Sequence, residues 1–161
     1  MSWKMLVRSH HLGFVPDAMG VDDIQYAQEE RWGLPLIGIP GDNETGIIVY
    51  KLPGQTVAGI HRKGVAYLQE LPANKRSNQR GWRGSYGHWR ATPFDQEARS
   101  RMTRAYTDIP RDCGFCIRVD PDVWAEVERI VGTPGSYYAF GRTGVIVISP
   151  GEAKAIYMYK G

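Results

Sequence analysis

The chain has 161 residues, 42% hydrophobic and 23% charged, with a formal net charge of +3; that is enough for one domain with a real core and too short for two. No apolar run approaches the roughly 18 residues of a membrane span, and MSWKMLVRSHH lacks the long apolar segment of a signal peptide, so the expectation is one cytoplasmic domain over 1–161. With 19 Gly, 10 Pro, five Trp and nine Tyr, the composition favours a β-rich domain over a helical bundle and speaks against disorder.

WKMLVR (3–8) reads as a first strand with Ser9, His10 and His11 at its end. VDDIQYAQEERWG (21–33) carries acids at its start, Ile24, Ala27 and Gln28 at helical spacing and Gly33 past its end, which predicts a helix. GIIVYKL (46–52) is β-branched and bounded by turn chemistry, so it reads as a strand, and GVAYLQEL (64–71) reads as another. A long basic loop follows over 72–93. DQEARSRMTRAY (95–106) predicts a short basic helix, GFCIRVD a strand and VWAEVERIVG a helix. SYYAFGRTGVIVISPGEAKAIYMYKG (136–161) predicts two strands about a Pro-Gly turn. An ending so apolar and aromatic belongs inside a sheet, because free termini are ordinarily polar and frayed. The fold class expected is α+β, one domain with a mainly antiparallel sheet flanked by two or three helices.

Charge is unevenly distributed. Residues 61–104 hold ten Lys and Arg against three acids, a local charge of +7 that leaves −4 for the rest. Within the loop, Lys75, Arg76, Arg80, Arg83 and Arg90 interleave with Trp82, Tyr86 and Trp89, a pattern that combines phosphate attraction with base stacking. RNA or DNA is the partner this suggests, and a solvated loop with its tryptophans folded inward is the plain alternative.

Cys113 and Cys116 form a C-x-x-C that runs toward a strand, where no helix N-terminus would lower a thiol pKa for redox work. With no second cysteine pair, a zinc site at Cys113 and Cys116 would have to recruit two of His10, His11, His61 and His88. PRDCGFC resembles the P-C-x-x-C half of nucleobase deaminases, but no histidine supplies the H-x-E those enzymes need. Two small half-buried residues at a strand start is the simpler reading.

The stretches RDCGFCIRVDPDVWAEV and SYYAFGRTGVIVISPGEAKAIYMYK together resemble the C-terminal half of the RNA 2′-phosphotransferases, members of the ADP-ribosyltransferase superfamily. RKGVAYLQELPANKRSN is similar to that superfamily's second motif, and LVRSHH to the opening strand that holds the cofactor's ribose. The resemblance implies a split sheet around an NAD cleft. It implies Arg8, His10, Gly64 and Tyr67 as cofactor-binding residues, and His10, His11, Tyr67 and Arg142 as catalytic ones, with Tyr67 facing the nicotinamide. It further implies an NAD-dependent transferase acting on a nucleic acid or other anionic acceptor held by the loop. The chain departs from the family pattern in lacking His-Gly-Thr after the first strand and in carrying Arg142, Thr143 and Gly144 where the catalytic glutamate is expected, Glu152 lying beyond the turn.

Two other readings stand beside it. One is a metal-independent ribonuclease or toxin domain in which His61 or His88 is the acid or base and Arg83 or Arg90 stabilises the phosphorane. The other is a nonenzymatic nucleic-acid-binding protein, with or without zinc at the C-x-x-C. Nothing in the sequence bears on oligomeric state.

Overall fold

The computed structural model describes residues 2–31, 44–72, 74, 83–106 and 118–160. Helix α1 (Trp3–Leu12) comes first, then a 3-10 turn (Asp17–Met19), strands β1 (Asp23–Arg31) and β2 (Glu44–Lys51), and helices α2 (Gly54–Lys63) and α3 (Val65–Gln69). The two-residue strand β3 (Arg90–Ala91) precedes α4 (Gln96–Tyr106), α5 (Pro121–Gly132), β4 (Tyr137–Phe140), β5 (Gly144–Ser149) and β6 (Lys154–Lys160). The class is α+β. Among the described residues there are five α-helices, more than the two or three expected, and none is long and apolar enough to cross a membrane.

All six strands join one continuous antiparallel sheet in the order β1-β2-β6-β5-β4-β3. The last strand therefore lies between β2 and β5, which is why residues 154–159 read as core. Alternation assigns the two faces. Ile48, Tyr50, Ala139, Ile146, Ile148, Ala155, Tyr157 and Tyr159 point to the face covered by the α1 to α3 segment, joined there by Phe14, Ile60 and Leu68. Ile47, Val49, Tyr138, Val145, Val147, Ile156 and Met158 point to the other, under Ala98 and Met102 of α4 and Val127, Ile130 and Val131 of α5.

The helices on that second face are legible in their own residues. Asp120 caps α5 by accepting from the Asp122 and Val123 amides at 2.8 and 3.3 Å, Pro121 follows, and Val127, Ile130 and Val131 repeat at i, i+3 and i+4. Asp95 accepts from the Ala98 amide at 2.8 Å and starts α4, where buried Ala98 and Met102 are one turn apart.

Three elements differ from expectation. Residues 3–8 belong to a helix, not a strand: Ser2 caps it through the Met5 amide, and Val7, His10 and His11 turn inward at helical spacing while Trp3, Met5 and Leu6 stay exposed. Residues 23–31, expected as a helix, form β1. Pairing with the β-branched strand β2 outweighs the helical propensity of Gln, Ala and Glu, and a register shift at Gln25 lets Ile24 and Tyr26 face opposite sides. GVAYLQEL, expected as a strand, is α3, entered through Gly64 at φ +60°. The loop over 72–93 is not simply exposed, since its described part buries Trp89 and ends in β3. The strand expected at GFCIRVD falls largely outside the described residues.

Candidate functional site

One row of the sheet runs Glu29, Gly46, Tyr159, Gly144 across β1, β2, β6 and β5. Tyr159 does not stand upright. Its ring lies across β2, and its hydroxyl donates to the Glu29 carboxylate two strands away. Glycine makes this possible: a Cβ at position 46 would lie 2.5 Å from the Tyr159 hydroxyl oxygen, and one at 144 would lie 2.2 Å from the Met158 carbonyl oxygen. From α1 above, His11 Nε2 approaches the same carboxylate oxygen at 3.3 Å. Phe14 covers this row, stacked on Tyr157 at 4.5 Å and on Tyr159 at 5.3 Å between centroids.

Arg83 arrives from the loop onto the end of α1. Its Nη2 donates to the His10 carbonyl at 2.6 Å and lies 2.9 Å from His10 Nδ1, with the guanidinium 4.6 Å above the Phe14 ring. Because arginine can only donate, a hydrogen bond between these two nitrogens has His10 Nδ1 as its acceptor. The cation also sits where the last carbonyls of a helix concentrate negative charge. Asn74 holds the segment in place: its Oδ1 accepts from the Asp17 amide at 2.6 Å and its Nδ2 donates to the Arg83 carbonyl at 3.1 Å. Gly84, at φ +70°, allows that approach, since a Cβ there would meet Asn74 Nδ2 at 2.1 Å.

A line of hydroxyls completes the cluster. Tyr86 donates to the Phe14 carbonyl at 2.6 Å, so its only proton is committed, and its ring meets that of Tyr157 edge-on at 6.4 Å between centroids. Thr143 Oγ1 and the Tyr157 hydroxyl share a hydrogen bond of 3.1 Å in which either can donate. Tyr50 donates to the His11 carbonyl at 2.5 Å. Burial pushes the hydroxyl pKa of Tyr50 and of Tyr86 well above the ordinary tyrosine value, and that of Tyr157 upward too, with the Arg83 charge acting in the opposite sense on all three.

The residues singled out from the sequence fall into separate places. His10, His11 and Arg83 meet in this cluster. Arg8, on α1 and not on an opening strand, donates its Nη2 to the Asp22 carbonyl at the approach to β1. Tyr67 belongs to a helix, and its ring lies on Gly59 of α2, where a Cβ would come within 2.5 Å of it; Gly64 is the residue that ends α2. Arg142 is exposed in the β4–β5 turn. Trp89 is buried, while Arg90 is exposed and pairs with Asp95 at 2.9 Å and Glu97 at 4.0 Å. His61 and His88 are exposed. Lys75, Arg76, Arg80, Trp82, Cys113 and Cys116 lie outside the described residues, among which no group of three or more His, Cys, Asp or Glu could hold a metal. Sequence reasoning missed Glu29, Tyr50, Tyr157 and Tyr159; an isolated glycine in each of β2 and β5 was the available signal of a close approach.

Chemically, an imidazole beside a carboxylate and a phenol has the parts of an acid–base site. Here these groups bind α1 to the sheet: the His11 side chain is buried with Nε2 turned to Glu29, and two of the last carbonyls of α1 are taken by Arg83 and Tyr50. Fold and cluster together define an α+β protein with a polar, aromatic clamp in one core. Compared with family models, with curated proteins and with solved structures, the chain matches none.

Proposed function

We propose that this is a nonenzymatic nucleic-acid-binding protein that meets the phosphate backbone at the β3–β4 edge of its sheet. The observation that carries the reading is where the cations of the +7 segment stand. Arg62 and Lys63 are exposed at the end of α2, and a Cβ on the next residue, Gly64, would lie 3.4 Å from the Tyr137 hydroxyl on β4. Arg90 is exposed on β3 itself. On the other face, exposed Arg99 and Arg101 project from α4, the latter 4.6 Å over Phe140 of β4. The opposite edge strand, β1, begins at exposed Asp22 and Asp23. Lys63, Arg90 and Arg101 have Glu70, Asp95 and Glu97 as ion-pair partners, so the five cations outnumber the acids that pair with them and leave this edge positive on balance, which orients an approaching polyanion.

The internal use of His10, His11, Arg83 and Tyr67 favours binding over the transferase and ribonuclease readings. The test is fluorescence anisotropy with short single-stranded RNA and DNA between about 50 and 200 mM salt, with a linear fall of log K against log salt expected. Replacing the pair Arg62 and Lys63, or the pair Arg99 and Arg101, by alanine reduces that slope by about 1 for each phosphate that is no longer neutralised. Binding absent at the lowest salt overturns the proposal. So does saturable NAD binding that Tyr67→Ala abolishes, which would return the transferase reading to the front.

A further inference from the structure

On the acidic side of the molecule, a groove of about 340 Å³ opens between α1, the 3-10 turn and the approach to β1. Leu12, Val15 and Val21 give it apolar walls, and Arg8, Asp17 and Asp22 bring charge to it. Its polar geometry is unusual in one respect. Arg8 is fixed by donating to the backbone carbonyl of Asp22, not to the Asp22 carboxylate, which has no hydrogen-bond or ion-pair partner among the described residues. Arg8 and Asp22 thus both line one small cavity with no ion pair between their side chains.

We infer that this groove binds a free α-amino acid with an apolar side chain. The charges of such a ligand are opposite in sign and separated by one residue's span, as are the Arg8 guanidinium at the Asp22 carbonyl and the carboxylate of Asp22 itself. The ligand carboxylate accepts from Arg8, which has five N–H donors and spends one on Asp22, while the ligand ammonium donates to Asp22. A simple anion is disfavoured by Asp17 and Asp22, and a simple cation by Arg8. A peptide terminus carries only one of the two charges. The volume lies at the small end of the range for ligand pockets, about 300–1,000 Å³, which suits one amino acid resting its side chain on Leu12, Val15 and Val21. This site is separate from the basic edge and independent of nucleic-acid binding.

The experiment is an NMR titration of the isotope-labelled protein with leucine, methionine and phenylalanine, beside the matching carboxylic acids lacking the amine and amines lacking the carboxylate. Saturable shifts in residues 8–22 are expected for the amino acids, with binding about tenfold weaker or worse for both sets of analogues and for Arg8→Gln and Asp22→Asn, a loss on the scale of one charge-assisted hydrogen bond. Both substituted side chains are exposed, and Lys4→Gln, on the same helix but outside the groove, retains wild-type affinity. Absence of shifts in the folded protein overturns the inference, as does equal binding of either analogue set or unchanged affinity in both variants.

Discussion

At the scale of single residues, the arrangement with most consequence is Tyr159 lying flat over Gly46 to reach Glu29. A hydrogen bond to a charged acceptor contributes about 1.5–3 kcal/mol, and Tyr159→Phe is expected to lose an amount in that range while keeping the stack on Phe14 and Tyr157. Gly46→Ala places a methyl where the ring now sits. Because the ring is clamped by the carboxylate and the stack, the cost is felt at Tyr159 and not relieved by a rotamer change. In a double-mutant cycle measured by urea unfolding, Gly46→Ala should cost much less in a Tyr159→Ala background than in the wild type. Gly144→Ala meets the Met158 backbone oxygen and should remain costly in both backgrounds. Equal costs for Gly46→Ala in the two backgrounds would mean the ring is free to move.

At the scale of elements, α1 is the interesting case, because its inward side is short of aliphatic area and rich in polar contacts. Val7 and Leu12 are only half-buried, so the helix is held through His11 to Glu29, Tyr50 to the His11 carbonyl and Arg83 to the His10 carbonyl. Arg83→Met removes the donor while keeping an unbranched apolar stem over Phe14. It should destabilise by about 1.5–3 kcal/mol and raise amide hydrogen exchange across residues 5–13 before the sheet is affected. Exchange that rises uniformly over the protein would instead make Arg83 part of the global core. This dependence on distant partners also explains what was readable beforehand. β2, β5, β6, α4 and α5 were legible because each advertises its own burial, through β-branched runs, caps or an i, i+3, i+4 repeat. α1, β1 and α3 were not, because what decides them lies elsewhere: the strand β2 that recruits β1, and Gly59, which receives Tyr67 and makes a helix of its surroundings. In the cluster, His10, His11 and Arg83 stood out by residue type, whereas Glu29, Tyr50 and Tyr159 acquire their roles only from sheet register.

At the scale of the whole molecule, charge and hydroxyl burial act in different ranges of pH. The exposed charges at the two edges of the sheet are a surface property and are screened by salt. The tyrosines are an internal one. Burial raises the folded-state pKa of Tyr50, Tyr86 and Tyr157 above the unfolded value of about 10, so the folded protein holds protons that the unfolded chain releases. Their contribution to stability is therefore complete below about pH 10 and is lost as pH rises from there toward the folded-state values. Absorbance at the tyrosinate band should accordingly resolve the nine tyrosines into an early class that ionises in the folded state and a late class that ionises only as circular dichroism is lost. Tyr86→Phe gives up the bond to the Phe14 carbonyl, so it should lower stability at neutral pH. It also removes one of the groups whose ionisation drives unfolding, so above about pH 10 stability should fall less steeply, by up to about 1.4 kcal/mol per pH unit. The two effects have opposite signs along the pH axis, and a variant that is merely less stable at every pH by a constant amount would show that Tyr86 titrates in the folded protein as an exposed phenol does.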